Sequence, residues 1–134
     1  MKITSLLLSL LFLGFALVQL NDSYWFPWTI AYLLSAYTAA SAFRNYYNPM
    51  LLMMMAVGYL IAGIICYPAI PLSEWLNQEQ QAASFQMNMP FTEEARESMG
   101  LFFCAVVNFW LMWVGFGKAR QKDYNEQFSV KGRN

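Results

Sequence analysis

Four uncharged apolar runs dictate what this chain can fold into. They cover Ile3 to Leu20, Pro27 to Phe43, Met50 to Tyr67 and Met99 to Gly117, each 17 to 19 residues long. A hydrocarbon core about 30 Å thick takes roughly 17 to 25 helical residues. Every run is therefore long enough to cross a bilayer as a helix. Strands fit poorly, because such runs lack the polar–apolar alternation of a lipid-facing barrel. Composition points the same way. Only 12% of the 134 residues are charged and 58% are hydrophobic, where a soluble domain carries about 25% charged residues. The expected fold is a single all-α membrane domain over residues 1–134. It is an integral bundle of four transmembrane helices (3–20, 27–43, 50–67 and 99–117), with an outer loop at 70–98 and a tail at 118–134.

The charges set an orientation. Lys2, Arg44, Lys118, Arg120, Lys122, Lys131 and Arg133 fall on one side of a four-span chain, and Arg96 alone among basic residues falls on the other. An excess of Lys and Arg marks the cytoplasmic side, so both termini are expected inside the cell (plasma or bacterial inner) membrane. Asp22, Glu74, Glu79, Glu93, Glu94 and Glu97 make the opposite face electronegative. A formal net charge of zero argues against nucleic acid as a partner. The chain has no histidine, which excludes His-dependent triads and His metal sites. The first run also has the outline of a secretory signal, with Gly14-Phe15-Ala16 as its small-residue site. Its apolar stretch continues past that site, so an uncleaved span is the reading preferred here.

In the outer loop, Ser73 to Met87 is free of Gly and Pro and predicts a short amphipathic helix on the membrane surface. Thr92 is expected to cap helix four, with Glu93 and Glu94 in its first turn, where the helix dipole favours negative charge.

Membrane helices meet through small residues, because lipid supplies no hydrophobic force between them. The candidates are Ser5, Ser9 and Ala16 on helix one, and Ala31, Ser35, Ala39 and Ala42 on helix two. Helix three offers Gly58, Ala62 and Cys66, and helix four offers Gly100, Cys104, Asn108 and Gly115. Asn108 lies deep in an apolar run and is expected to bond a neighbouring helix as interhelical glue. No Asp, Glu, Lys or Arg lies deep in a span, which disfavours an ion-coupled carrier. Cys66 and Cys104 are expected at similar depth on inward faces, close together but as thiols rather than a disulfide.

Two motifs carry a family resemblance. Gln19-x-Asn21-Asp22 ends helix one and is followed by Trp28 and Tyr32. Glu93-Glu94-Ala95-Arg96-Glu97-Ser98-Met99-Gly100-Leu101 enters helix four. In this order and spacing the chain resembles the transmembrane protein 220 family, small multi-helix membrane proteins with no firmly assigned activity. Family members often continue Asn-Asp with Pro-Asp, whereas this chain has Ser23-Tyr24. The second carboxylate of a paired-carboxylate cation site is thus missing. The resemblance implies a helical membrane fold and supplies no reaction.

The topology gathers Gln19, Asn21, Asp22, Trp28, Tyr32, Glu94, Arg96 and Glu97 on the outer face. Two readings of this cluster stay open. In one it ties helix ends together, with Arg96 bridging Asp22 or Glu97. In the other it forms a pocket for a ligand, lipid headgroup or partner peptide. Neither nucleophile nor metal ligand accompanies Glu94 and Glu97, so no catalytic residue, metal or cofactor is expected. Met53-Met54-Met55 in helix three and Met87-Asn88-Met89 outside it would suit copper by their thioethers, but with no His a copper site is not expected, and the helix-three run reads as flexible packing. The preferred function is a non-enzymatic scaffold, accessory or regulatory subunit in the bilayer. The alternative is a lipid- or small-molecule-handling protein that uses the outer pocket. Expected partners are membrane lipid and a membrane protein or a second copy of the chain.

Overall fold

The computed structural model describes residues 2–21, 25–67, 73–74, 77 and 90–131, and within the last stretch the side chains of 95–122, 124 and 125. Four helices make up nearly all of these residues: α1 (Lys2–Gln19), α2 (Trp25–Phe43), α3 (Pro49–Ile65) and α4 (Pro90–Lys131). The proposed surface helix between Ser73 and Met87 lies largely outside the described residues.

Two of the helices are long and apolar enough to cross a membrane: α1, and the Ala95–Lys122 stretch of α4. The expectation of four such helices narrows here to two. The remaining apolar helix, α3, is one residue short of α1, and α2 carries Thr29, Tyr32, Ser35, Tyr37, Thr38 and Ser41, whose polar groups dilute its apolar character.

The contacts define how the helices run. Ser9 meets Ala36 while Phe15 meets Tyr32, so α1 and α2 are antiparallel. Tyr32 approaches Gly100 and Thr38 meets Asn108, so α2 and α4 are parallel. Gly63 faces Phe102, and Tyr47, just before α3, faces Gly115, so α3 and α4 are antiparallel. The principal contacts place the helices in the order α1, α2, α4, α3. Phe12 and Phe15 of α1 also reach Phe103 of α4, at ring-centroid distances of 5.6 and 6.3 Å.

Each helix buries a narrow stripe. On α1 it is Ser5, Ser9, Phe12, Ala16 and Gln19, spaced by three and four, which keeps it on one helix face. On α2 it includes Tyr32, Ser35, Ala36, Ala39 and Ala42. The outward faces stay apolar: Leu10, Leu17 and Val18 on α1, Leu33 and Leu34 on α2, Met53, Met54, Ile61 and Ile64 on α3, and Val106, Phe109 and Trp113 on α4 are all exposed.

Local chemistry fixes the α2–α3 turn. Asn45 adopts φ 60°, the left-handed conformation that Asn tolerates better than most residues. Asn45 N donates to Ala42 O at 3.0 Å and Tyr46 N to Ser41 O at 2.9 Å, the bond pair that closes a Schellman C-terminus. Asn48 then caps α3, its Oδ1 accepting from Leu51 N at 3.2 Å, and Pro49 occupies the first turn.

Helix α4 departs most from the sequence expectation. It runs for 42 residues, about 63 Å at 1.5 Å per residue. The helix is continuous from Pro90 through the segment expected as a tail, to Lys131. Thr92 is therefore inside the helix rather than capping it. Proline serves at a helix start because its missing N–H would have no intrahelical partner there.

Candidate functional site

The end of α1 and the starts of α2 and α4 bring together part of the polar cluster. Gln19 is buried at the end of α1, and Tyr32 is buried one helix away. The Gln19 side chain lies beside the Tyr32 hydroxyl, and the Glu97 carboxylate and Cys104 thiol are close enough to act on it electrostatically. The Tyr32 hydroxyl presses directly against Gly100, occupying the space a β-carbon would need. Phe15 closes the other side edge-on, with ring centroids 5.5 Å apart. Trp28 is half-buried and packs on the core. Arg96 and Glu97 are half-buried and engaged with neighbours. Asn21 is exposed. Asp22 and the side chain of Glu94 lie outside the described residues, so the Asp22–Arg96 bridge does too.

Two oxygens near this end have no hydrogen-bond partner, Gln19 Oε1 and Thr29 Oγ1, although both residues are more than nine-tenths buried. Thr29 stands one turn before Tyr32 on the buried face of α2.

Deeper in the bundle the polar groups satisfy one another. Asn108 is fully buried. Its Nδ2 donates to Cys104 O at 2.8 Å and reaches Ser35 Oγ at 3.5 Å. Thr38 Oγ1 lies 2.8 Å from Asn108 Oδ1 and 2.9 Å from Ser35 O. A hydroxyl has a single proton, so Thr38 shares it between these two acceptors. Tyr59 of α3 donates to Ala31 O at 2.7 Å, and Ser98 of α4 donates to Gly63 O at 2.8 Å. Three helices are thereby laced together by hydrogen bonds that water cannot replace in hydrocarbon.

The model of the family described as Transmembrane family 220, helix, matches residues 11–113. The chain belongs to this family. No curated protein and no solved structure matches it. The region matched by transmembrane family 220 begins in the second half of α1 and ends within α4, so it contains the Gln19–Tyr32–Glu97 cluster and the Asn108 network but not the C-terminal extension of α4. Membership and the two apolar helices make this a membrane protein.

Among the expected packing residues, Gly100 and Asn108 sit in contacts, and Ala62 packs on the core. Gly58 does not: it is exposed, and a β-carbon there would have nothing within 4 Å. Gly63, five residues on and about 140° around the helix, takes the close approach instead, against the Phe102 ring. Cys104 is fully buried and Cys66 packs half-buried on the same core, both as thiols. Among the described residues, no three Cys, Asp or Glu side chains gather in a way that would hold a metal ion.

Sequence reasoning passed over Thr29, Thr38 and Tyr59, and met Ser98 only as part of a motif, without its bond to α3. A hydroxyl on a helix can bond its own backbone, so nothing in its spacing announces an interhelical role. It also missed the clamp at the opposite end of the bundle, where Lys118 Nζ donates to Asn45 Oδ1 at 2.9 Å and Tyr47 Oη at 3.0 Å.

Proposed function

We propose that this member of transmembrane family 220 is a four-span bilayer protein with cytoplasmic termini, serving as a non-enzymatic scaffold, accessory or regulatory subunit. The observation carrying this reading is the middle of the bundle, where Asn108, Thr38, Ser35 and the Cys104 carbonyl bond one another and Tyr32 packs against Gly100. The four-span part rests on geometry. At 1.5 Å per residue, the 19 residues of α2 and 17 of α3 measure about 28 and 26 Å, close to a bilayer core. Both helices also pack within the same bundle and turn apolar faces outward.

Purification in a native membrane mimic, followed by identification of what accompanies the chain, tests the role. A membrane protein retained in fixed ratio is expected. A chain that carries a bound small molecule and no protein contradicts the reading.

The unpartnered Gln19 and Thr29 oxygens favour a second reading, a small lipid- or metabolite-handling site at the outer end. Thr29→Val separates the two. A hydroxyl that serves no ligand is an unsatisfied burden, and its removal is expected to stabilise the protein by about 1 kcal/mol. If the hydroxyl holds a ligand, Thr29→Val strips that ligand from the purified protein.

A further inference from the structure

Two buried stripes face each other where α1 ends and α2 begins. Ser9 Oγ bonds Ala36 O at 3.1 Å, and the Phe15 and Tyr32 rings meet farther along, which fixes the register of this antiparallel pair. One more turn along each helix brings Gln19 opposite Thr29. These are the two residues whose side-chain oxygens, Gln19 Oε1 and Thr29 Oγ1, have no hydrogen-bond partner although both residues are more than nine-tenths buried. The Tyr32 hydroxyl stands beside the Gln19 side chain, and the Glu97 carboxylate of α4 acts on that hydroxyl electrostatically. Arg96, engaged with neighbours of its own, lies about 100° round the helix from Glu97.

We propose that Gln19 Oε1 and Thr29 Oγ1, with the Glu97 carboxylate close by, bind one sodium ion between α1 and α2. An amide oxygen only accepts, so whatever meets Gln19 Oε1 is a hydrogen-bond donor or a cation. An amide carbonyl, a hydroxyl and a carboxylate are hard oxygen ligands, which suit hard cations rather than transition metals. Charge selects within that class. One carboxylate balances one positive charge, whereas a calcium ion takes about six to eight oxygens, several of them from carboxylates. Size agrees as well, because two helix stripes packed against each other admit an ion more readily than an organic molecule. The ion ties α1 to α2 at a level where their own hydrogen bonds leave two oxygens over. The proposal rests on the second reading above, a binding site at this end of the bundle, and names its ligand. It does not require a protein partner.

The test uses the full chain in nanodiscs of phosphatidylcholine, with N-methylglucamine replacing sodium at constant chloride and ionic strength. Sodium at about 100 mM, against a dissociation constant of about 10 mM, is expected to lower the unfolding equilibrium constant roughly tenfold. Radiolabelled sodium, measured at equilibrium on the folded chain, is expected to bind once per chain. Thr29→Val and Gln19→Leu are expected to lose both signals, whereas Thr29→Ser keeps the hydroxyl and retains both. Glu97→Gln is expected to weaken sodium binding severalfold, and it takes the place of either variant that does not fold. Glu74→Gln removes an exposed carboxylate between α3 and α4 and is expected to change neither signal. No sodium response in the parent, an equal response in Thr29→Val, or loss of the response in Glu74→Gln would each overturn the proposal. An organic molecule that accompanies the parent and leaves with Thr29→Val, in a chain without a sodium response, would overturn the ion and keep the site. Neither a response nor a molecule would end both.

Discussion

At the residue scale, Gly100 shows how one missing atom sets a helix crossing. A β-carbon there would collide with the Tyr32 hydroxyl and lie 3.2 Å from Tyr32 Cζ. Gly100→Ala is therefore expected to destabilise the bundle by about 1 to 3 kcal/mol through overpacking. Adding Tyr32→Phe removes the colliding oxygen but not Cζ, so partial recovery is expected, read from unfolding equilibria in a bilayer mimic. Independent effects that simply add would show that the two residues do not meet. Asn108 offers a second test. Interhelical hydrogen bonds in membranes average about 0.6 kcal/mol and reach about 1.7. A double-mutant cycle between Asn108→Leu and Thr38→Val is expected to give a coupling in that range, and zero coupling would remove the bond from the account. That an amide in an apolar run needs a partner is legible in the sequence. Which partner it takes is not, because Thr38 and Ser35 look like ordinary small residues until α2 and α4 are set side by side.

At the element scale, the positions of α1, α2 and α3 follow from the lengths of uncharged runs, whereas the turn chemistry of Asn45, Asn48 and Pro49, which closes α2 and starts α3, emerged only from the structure. The reach of α4 does not follow from hydropathy. Its C-terminal extension consists of Lys, Arg, Gln and Glu among others, good helix formers that an apolar-run argument discards as a tail. Spin labels walked through residues 112 to 128 should give accessibility with a period of about 3.6 residues across the whole stretch. Loss of that period after Gly117 would contradict a continuous helix. Facing was also only partly legible. Gly58 and Gly63 are both glycines on one apolar helix, and only the packing partner Phe102 distinguishes the exposed one from the buried one.

At the scale of the whole molecule, polar chemistry is sorted along the bundle axis. Gln19, Tyr32, Arg96 and Glu97 stand at one end, the hydrogen-bonded Asn108 core lies between, and Lys2, Arg44 and Lys118 stand at the other. The outer cluster could be assembled from the sequence only by first assuming how many times the chain crosses the membrane. The parallel run of α2 beside α4 places Tyr32 near Glu97 independently of that assumption. Four crossings demand that the segment between α3 and α4 and the far end of α4 face opposite compartments, a consequence of the basic asymmetry as well. The direct measurement is thiol labelling of Asn77→Cys and Gln127→Cys in a Cys66→Ala, Cys104→Ala background, using a membrane-impermeant reagent on intact cells and on inverted vesicles. Asn77→Cys is expected to label from outside and Gln127→Cys only from the cytoplasmic side. Labelling of both positions from the same side would contradict the four-span bundle.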